Sequence, residues 1–190
     1  MHDTLLTQLA ESHRALSEML AGLSAVQDRR PSPEAWSFRF VAGHMAQVEL
    51  DCHLNRVWRI AAGEQPHFPY YTNTGWDFSH YTLEEWLYLW HGRRQELLQF
   101  VPTLTPHQLT LTATHELFGT ITVADVLRIA HDHDEEHLAD LSVVMGHGSW
   151  VIGRLSVFQS LSPVSQPPLL PTLLNKSASS AAPHGRATSL

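Results

Sequence analysis

The chain has 190 residues, of which 43% are hydrophobic and 16% charged, and a formal net charge of −7; this allows one domain with a sizeable core and room for a tail. The acidic balance, with no basic stripe to meet phosphates, excludes a nucleic-acid partner held by bulk electrostatics. A single cysteine, Cys52, excludes an intrachain disulfide framework and fits a reducing, cytoplasmic setting, and with neither a signal pattern nor a membrane-length apolar run no membrane partner is expected.

Asp3 reads as the N-cap of a first helix whose apolar stripe is Leu5, Leu6, Leu9, Leu16, Met19, Leu20 and Leu23. Gly22 weakens its end and Arg29-Arg30-Pro31 closes it, before a turn at Ser32-Pro33-Glu34. Trp36-Ser37 leads into a second helix from about Phe38 to Ala62, ended by Gly63. Val41, Met45, Val48, Cys52 and Val57 form its buried side, and His44 lies close to it. Asp51, seven residues after His44, shares that face, whereas His53, nine after, falls about half a revolution away and is expected to point elsewhere. Residues 63–81 form a long, aromatic-rich connection, of the length a crossover needs if the third helix is to run parallel to the second.

Thr82-Leu83-Glu84-Glu85 is a capping box for that third helix, with Leu83, Trp86, Leu87, Trp90, Leu97 and Leu98 as its core face and Pro102 as its stop. Residues 102–121 read as a second connection, with a tight turn at Gly119. Thr122-Val123-Ala124-Asp125 caps a fourth helix that runs to about Met145 and ends at Gly146-His147-Gly148. From residue 149 onward Ser, Pro, Ala and Leu dominate and no Asp or Glu occurs. The expected organisation is therefore an all-α four-helix bundle over residues 1–148, with a long crossover between helices 2 and 3, and a low-complexity, disordered tail over 149–190.

The chemistry concentrates in Ala130-His131-Asp132-His133-Asp134-Glu135-Glu136-His137-Leu138. His133 and His137 are four apart, so a helix sets both imidazoles on one face, one turn apart. They fall on or beside the stripe of Val123, Val126, Leu127, Ala130, Leu138 and Leu141, whereas His131, Asp132 and Glu136 lie off it. Fourteen histidines in the chain make any single one weak as a signal, and a bare HxxxH is common on acidic helices. A third inward histidine changes the balance: His44 on the second helix with His133 and His137 on the fourth makes a three-nitrogen set for a divalent cation such as zinc, nickel or iron. Three protein ligands leave positions free for water or substrate, and a metal-bound water or thiol is more acidic than a free one.

The chain also resembles the DinB/YfiT-like superfamily, which is distinct from the DNA polymerase sharing the DinB name. The resemblance rests on Trp36-Ser37, on His44 within Gly43-His44-Met45-Ala46-Gln47-Val48-Glu49, and on Arg56. It continues through Trp76-Asp77, Tyr81, Trp86 to Arg93, Gly119-Thr120-Ile121-Thr122-Val123, Ala130 and His133-Asp134-x-x-His137-Leu138, and spans about residues 1–147. It implies a bundle with a crossover between helices 2 and 3, a divalent metal on His44, His133 and His137, and frequently a homodimer. Some relatives of this kind are transferases or isomerases that use low-molecular-weight thiols, and many have no established activity.

Around the histidines, Asp134 is a candidate to orient a ligand or a bound water, and Asp51 a candidate general base. Arg56 and Arg93 are the best basic candidates for anchoring an anionic small-molecule substrate or thiol cofactor. Cys52, on the buried side, reads as core filler. The pattern is not that of a zincin, because Asp rather than Glu follows His133, and no Glu-x-x-His partner supports a di-iron carboxylate site. The favoured expectation is thiol S-transfer to an electrophile in detoxification or stress response. Metal-dependent hydrolysis is the runner-up, and a non-catalytic module that binds metal or a small ligand is the reading from a different class.

Overall fold

Leu9, Leu16 and Leu20 recur at helical spacing and are fully buried in the first helix, α1 (His2–Ala21). The computed structural model describes residues 2–146; the stretch read as a tail, 149–190, lies outside them. α1 stops just before Gly22, and a short 3-10 turn at Ser24–Val26 precedes the loop that holds Arg29-Arg30-Pro31. Ser37 caps α2 (Phe38–Val48), its hydroxyl accepting the Phe40 N–H at 3.2 Å. The capping boxes at Thr82 and Thr122 both form, opening α4 (Leu83–Phe100) and α5 (Val123–Val144).

The second rod departs from the expected continuous α-helix. A π-turn over Glu49–Leu54 separates α2 from α3 (Asn55–Ala61). A π-turn spends an extra residue on each rotation, so side chains after it fall behind their α-helical phase. His53, expected to point away, is instead buried, with its ring centroid 6.0 Å from that of His133. Gly63 then ends α3 with φ +75°, a conformation that suits glycine.

Two apolar clusters fix the directions of the rods. At one end Leu9 of α1 meets Leu54, Val57 and Ile60, the end of α4 at Leu97, and the start of α5 at Val126, Leu127 and Ala130. At the other, Leu16 and Leu20 meet the start of α2 at Phe38, Val41 and Met45, the start of α4 at Leu83, Trp86 and Trp90, and the end of α5 at Leu141. So α1 runs parallel to α5 and the α2–α3 rod runs parallel to α4, which the connection after α3 makes possible by crossing back over the length of the bundle.

The connections carry more structure than their sequence suggests. Residues 102–121, read as a plain link, contain most of a hairpin of β2 (Thr112–His115) and β3 (Gly119–Thr122), paired antiparallel from Thr112 opposite Thr122 to His115 opposite Gly119. Gly119, at φ +67°, closes its three-residue loop. The crossover adds a third strand, β1 (His67–Phe68), parallel to β2. Short strands with polar residues on one face hide this sheet from a period-2 reading, and only Ala113 and Ile121 of the hairpin's apolar residues enter the core.

The rest of the crossover is a strap laid along the α2–α3 rod. Phe68 lies under Arg56 and Arg59 of α3, and Phe78 lies against α2 at Gly43. The Phe78 carbonyl accepts the Trp86 indole N–H at 2.9 Å, which ties the strap to α4. A Cβ at position 43 would stand 2.5 Å from a Phe78 ring carbon, so only glycine lets the strap approach this closely. Gly43→Ala is expected to destabilise the protein by about 1–3 kcal/mol, with Phe78→Leu in the same chain recovering part of that loss. Additive effects of the two changes in urea unfolding would contradict the contact.

Candidate metal centre

His44 points from α2 and His133 and His137 from α5 into one space between the rods. His44 Nε2 lies 3.0 Å from His133 Nε2, and His137 Nε2 lies 3.2 Å from the same atom. All three rings offer a nitrogen within 4.8 Å of the others. Two nitrogens about 2.0–2.1 Å from one tetrahedral zinc stand roughly 3.3 Å apart, so the spacing matches one shared ion. One N–H on His133 can satisfy either neighbour but not both, whereas a cation satisfies all three lone pairs. Among the described residues the buried His133 Nδ1 has no hydrogen-bond partner. The residues therefore fit a divalent metal.

Burial acts on all three imidazoles. It pushes His44 down to about 4, although its bond to Asn73 works the other way. Burial and then the His44 ring bring His137 down to about 3. Burial, then His137 and His44, drive His133 well below the usual histidine range. Neutral imidazole is the form that ligates a metal. Trp36 walls the site, with its ring centroid 4.8 Å from His44 and 6.1 Å from His137. On the far side of His44, Nδ1 lies 2.6 Å from Asn73 Oδ1 on the strap.

Behind His133 lies a buried ionic cluster centred on Arg94 of α4. Its guanidinium donates to both Glu49 oxygens, at 2.8 and 2.7 Å, and to both Asp134 oxygens, at 2.7 and 3.1 Å. It also donates to the Leu9 carbonyl at 3.0 Å, while the Ser12 hydroxyl donates to Asp134 at 2.7 Å. The side chains of Arg94, Glu49 and Asp134 are all fully buried. Burial alone would raise Glu49, but the Arg94 charge and the neighbouring His53 outweigh it and hold the carboxyl well below its usual range. His53 Nδ1 lies 3.0 Å from Glu49, so this ring sits between the ionic cluster and His133.

Three of the other candidates have hydrogen-bond partners outside the three rings. Asp134 directs both carboxylate oxygens at Arg94. Asp51 accepts from Gln47 Nε2 and from the Tyr71 hydroxyl, both at 2.8 Å. Arg93 Nη1 donates to the Ala46 carbonyl beside the π-turn. Arg56 is nearly buried on α3, with its guanidinium 5.6 Å from the Phe68 ring centroid, and no hydrogen bond or ion pair to another described residue holds it. Cys52 is core filler as expected, and burial pushes its thiol up to about 12. The sequence reading assigns no role to Arg94, Glu49 or Asn73 and turns His53 away from the site. Arg94 was findable, because it continues the buried series Trp86, Trp90, Arg94, Leu97 at helical spacing. Asn73 carries no such signal.

The pH dependence follows with a definite sign. The unfolded chain protonates these histidines near pH 6.5, while the folded metal-free chain keeps them neutral until about pH 4 for His44 and about 3 for His137. The unfolded state therefore binds more protons in that window, and stability falls as pH is lowered through it. The expected result is a Tm of chelator-treated protein that drops between pH 7 and 5, with a shallower drop in His44→Ala and in His137→Ala. An unchanged slope in both variants would contradict the neutral cluster.

Comparison with solved structures places the chain beside known bundles. It is similar to YfiT from Bacillus subtilis, described as "a probable metal-dependent hydrolase with an unusual four-helix bundle topology", with 22% identity, a TM-score of 0.65, and 76% of this chain and 87% of that chain covered. It is also similar to TT2238, described as a four-helix bundle protein, with 27% identity, a TM-score of 0.58, and 75% and 99% covered. No curated protein matches the chain. The sequence model of the DinB superfamily matches residues 8–141, a span that includes most of α1 and α5, all of the two rods between them and the three histidines, and the chain belongs to that superfamily.

Proposed function

We propose that this protein is a divalent-metal-dependent enzyme that transfers a low-molecular-weight thiol to a small electrophilic substrate. The convergence of His44, His133 and His137 nitrogens between two rods carries the metal part of this reading. When bound, a divalent cation supplies Lewis acidity and makes a coordinated water or thiol acidic near neutral pH. The three imidazoles hold it as neutral donors, and Trp36 excludes water from one side. Arg56, a nearly buried cation with no carboxylate against it among the described residues, is the better of the two proposed anion anchors, because the Arg93 guanidinium is directed at a backbone carbonyl.

The commitments of the two carboxylates favour S-transfer over hydrolysis. Hydrolysis needs a general base within reach of the attacking water. Asp134 is occupied by Arg94 and Ser12, and Asp51 by Gln47 and Tyr71. A thiolate is itself the nucleophile and needs no such base at the moment of attack. Hydrolysis remains the second reading, supported by the description of YfiT. A homodimer in the cytoplasm, with a role in detoxification or stress response, completes the proposal. Among the described residues no helix is long and apolar enough to cross a membrane.

The test is a paired assay of metal-loaded protein, with bacillithiol, mycothiol, glutathione and cysteine offered with a haloaromatic electrophile, and a panel of amides and esters offered without thiol. Thiol conjugation that falls at least a hundredfold in His137→Ala supports the proposal. Ester or amide cleavage without conjugation would move the assignment to a hydrolase, and neither reaction in metal-loaded protein would leave a binding module.

A further inference from the structure

The strap residue Asn73 is 1% exposed, although it belongs to a connection between helices. Its Oδ1 lies 2.6 Å from His44 Nδ1. An amide oxygen only accepts, so the imidazole hydrogen must sit on Nδ1. Nε2 is then a bare lone pair, and Nε2 is the atom that faces His133 and, through it, His137. Turning the amide over would set its NH2 group against Nδ1, move the imidazole hydrogen to Nε2 and aim a donor into the space between the three rings. The amide oxygen is thus the end of Asn73 that meets the ring.

The strap is clamped on both sides of Asn73. Two residues before it, the Tyr71 hydroxyl donates to Asp51 on the π-turn at 2.8 Å. Five residues after it, Phe78 packs on Gly43, the residue that precedes His44. Asn73 is thus held at a fixed height over the His44 ring before any ligand arrives, and little order is lost when it acts. We infer that Asn73 is a positioning residue for the metal centre: its side-chain oxygen selects the His44 tautomer and ring orientation that offer Nε2 to a cation, so the crossover strap takes part in metal binding although it supplies no ligand. This rests on the three-histidine metal reading. Outer contacts of this kind typically change metal affinity by about 10–100-fold when removed.

The experiment is titration of the metal-free full chain with cobalt(II) against a chromophoric chelator, comparing wild type, Asn73→Ala and Asn73→Asp. The expected result is a 10–100-fold weaker affinity in Asn73→Ala, with an altered cobalt absorption band. In Asn73→Asp, whose carboxylate also accepts from Nδ1–H, affinity stays within about threefold of wild type or tightens. Asn73→Ala binding as tightly as wild type, or Asn73→Asp failing as badly as Asn73→Ala, would overturn the positioning role while leaving the metal centre standing. No cobalt binding by wild type would overturn the metal reading itself. If Asn73→Ala does not fold by circular dichroism, Asn73→Ser carries the same expectation, since its hydroxyl is too short to reach the ring.

Discussion

One buried guanidinium joins all four rods. Arg94 of α4 holds Glu49 of the π-turn, Asp134 of α5 and the Leu9 carbonyl of α1, and Ser12 of α1 closes the set on Asp134. Isolated, a buried cation costs several kcal/mol of lost hydration. Two carboxylates with four direct N–H···O bonds offset that cost, and removing one partner of such a set is expected to cost about 3–5 kcal/mol. Its larger consequence is register. Asp134 is next to His133 and three before His137, while Glu49 sits four before His53. Sliding α5 or the π-turn by one residue would strand a charge and also break up the histidine cluster.

The irregular parts of the chain serve the same centre. The π-turn brings Glu49 and His53 inward together, where an uninterrupted helix would have set His53 opposite His44. The strap, in turn, is more than a topological necessity. It seats Phe78 on a glycine of α2 and presents Asn73 to a metal-site histidine. Local structure that looks like a departure from the ideal bundle thus bears on the tautomer of His44 and on the ionic surroundings of His133.

The helices were legible because their signals are local. Ser37, the two capping boxes at Thr82 and Thr122, and the leucine and tryptophan stripes of α1 and α4 all declare themselves within one or two turns. The three histidines were legible because inward phase and the resemblance to the DinB superfamily agreed. The small sheet was not legible, since β1 is two residues long and pairs with a strand more than forty positions away. The π-turn was not either, because nothing in Glu49 to Leu54 breaks an α-helical pattern; its bonds are decided by what packs around it. Asp134 reads in sequence as a carboxylate able to orient a ligand or a bound water, and only the position of Arg94 on another rod shows that both its oxygens are occupied.

The chemistry of this protein turns on a cation bound by His44, His133 and His137. Elemental analysis of tag-free protein purified without chelators, wild type beside His44→Ala, tests this directly. The expected result is near one zinc, nickel or iron per chain in wild type and little in the variant, with helical content retained in both. Absence of metal from wild type even after reloading with zinc, nickel, manganese and ferrous iron, or equal occupancy in His44→Ala, would contradict it.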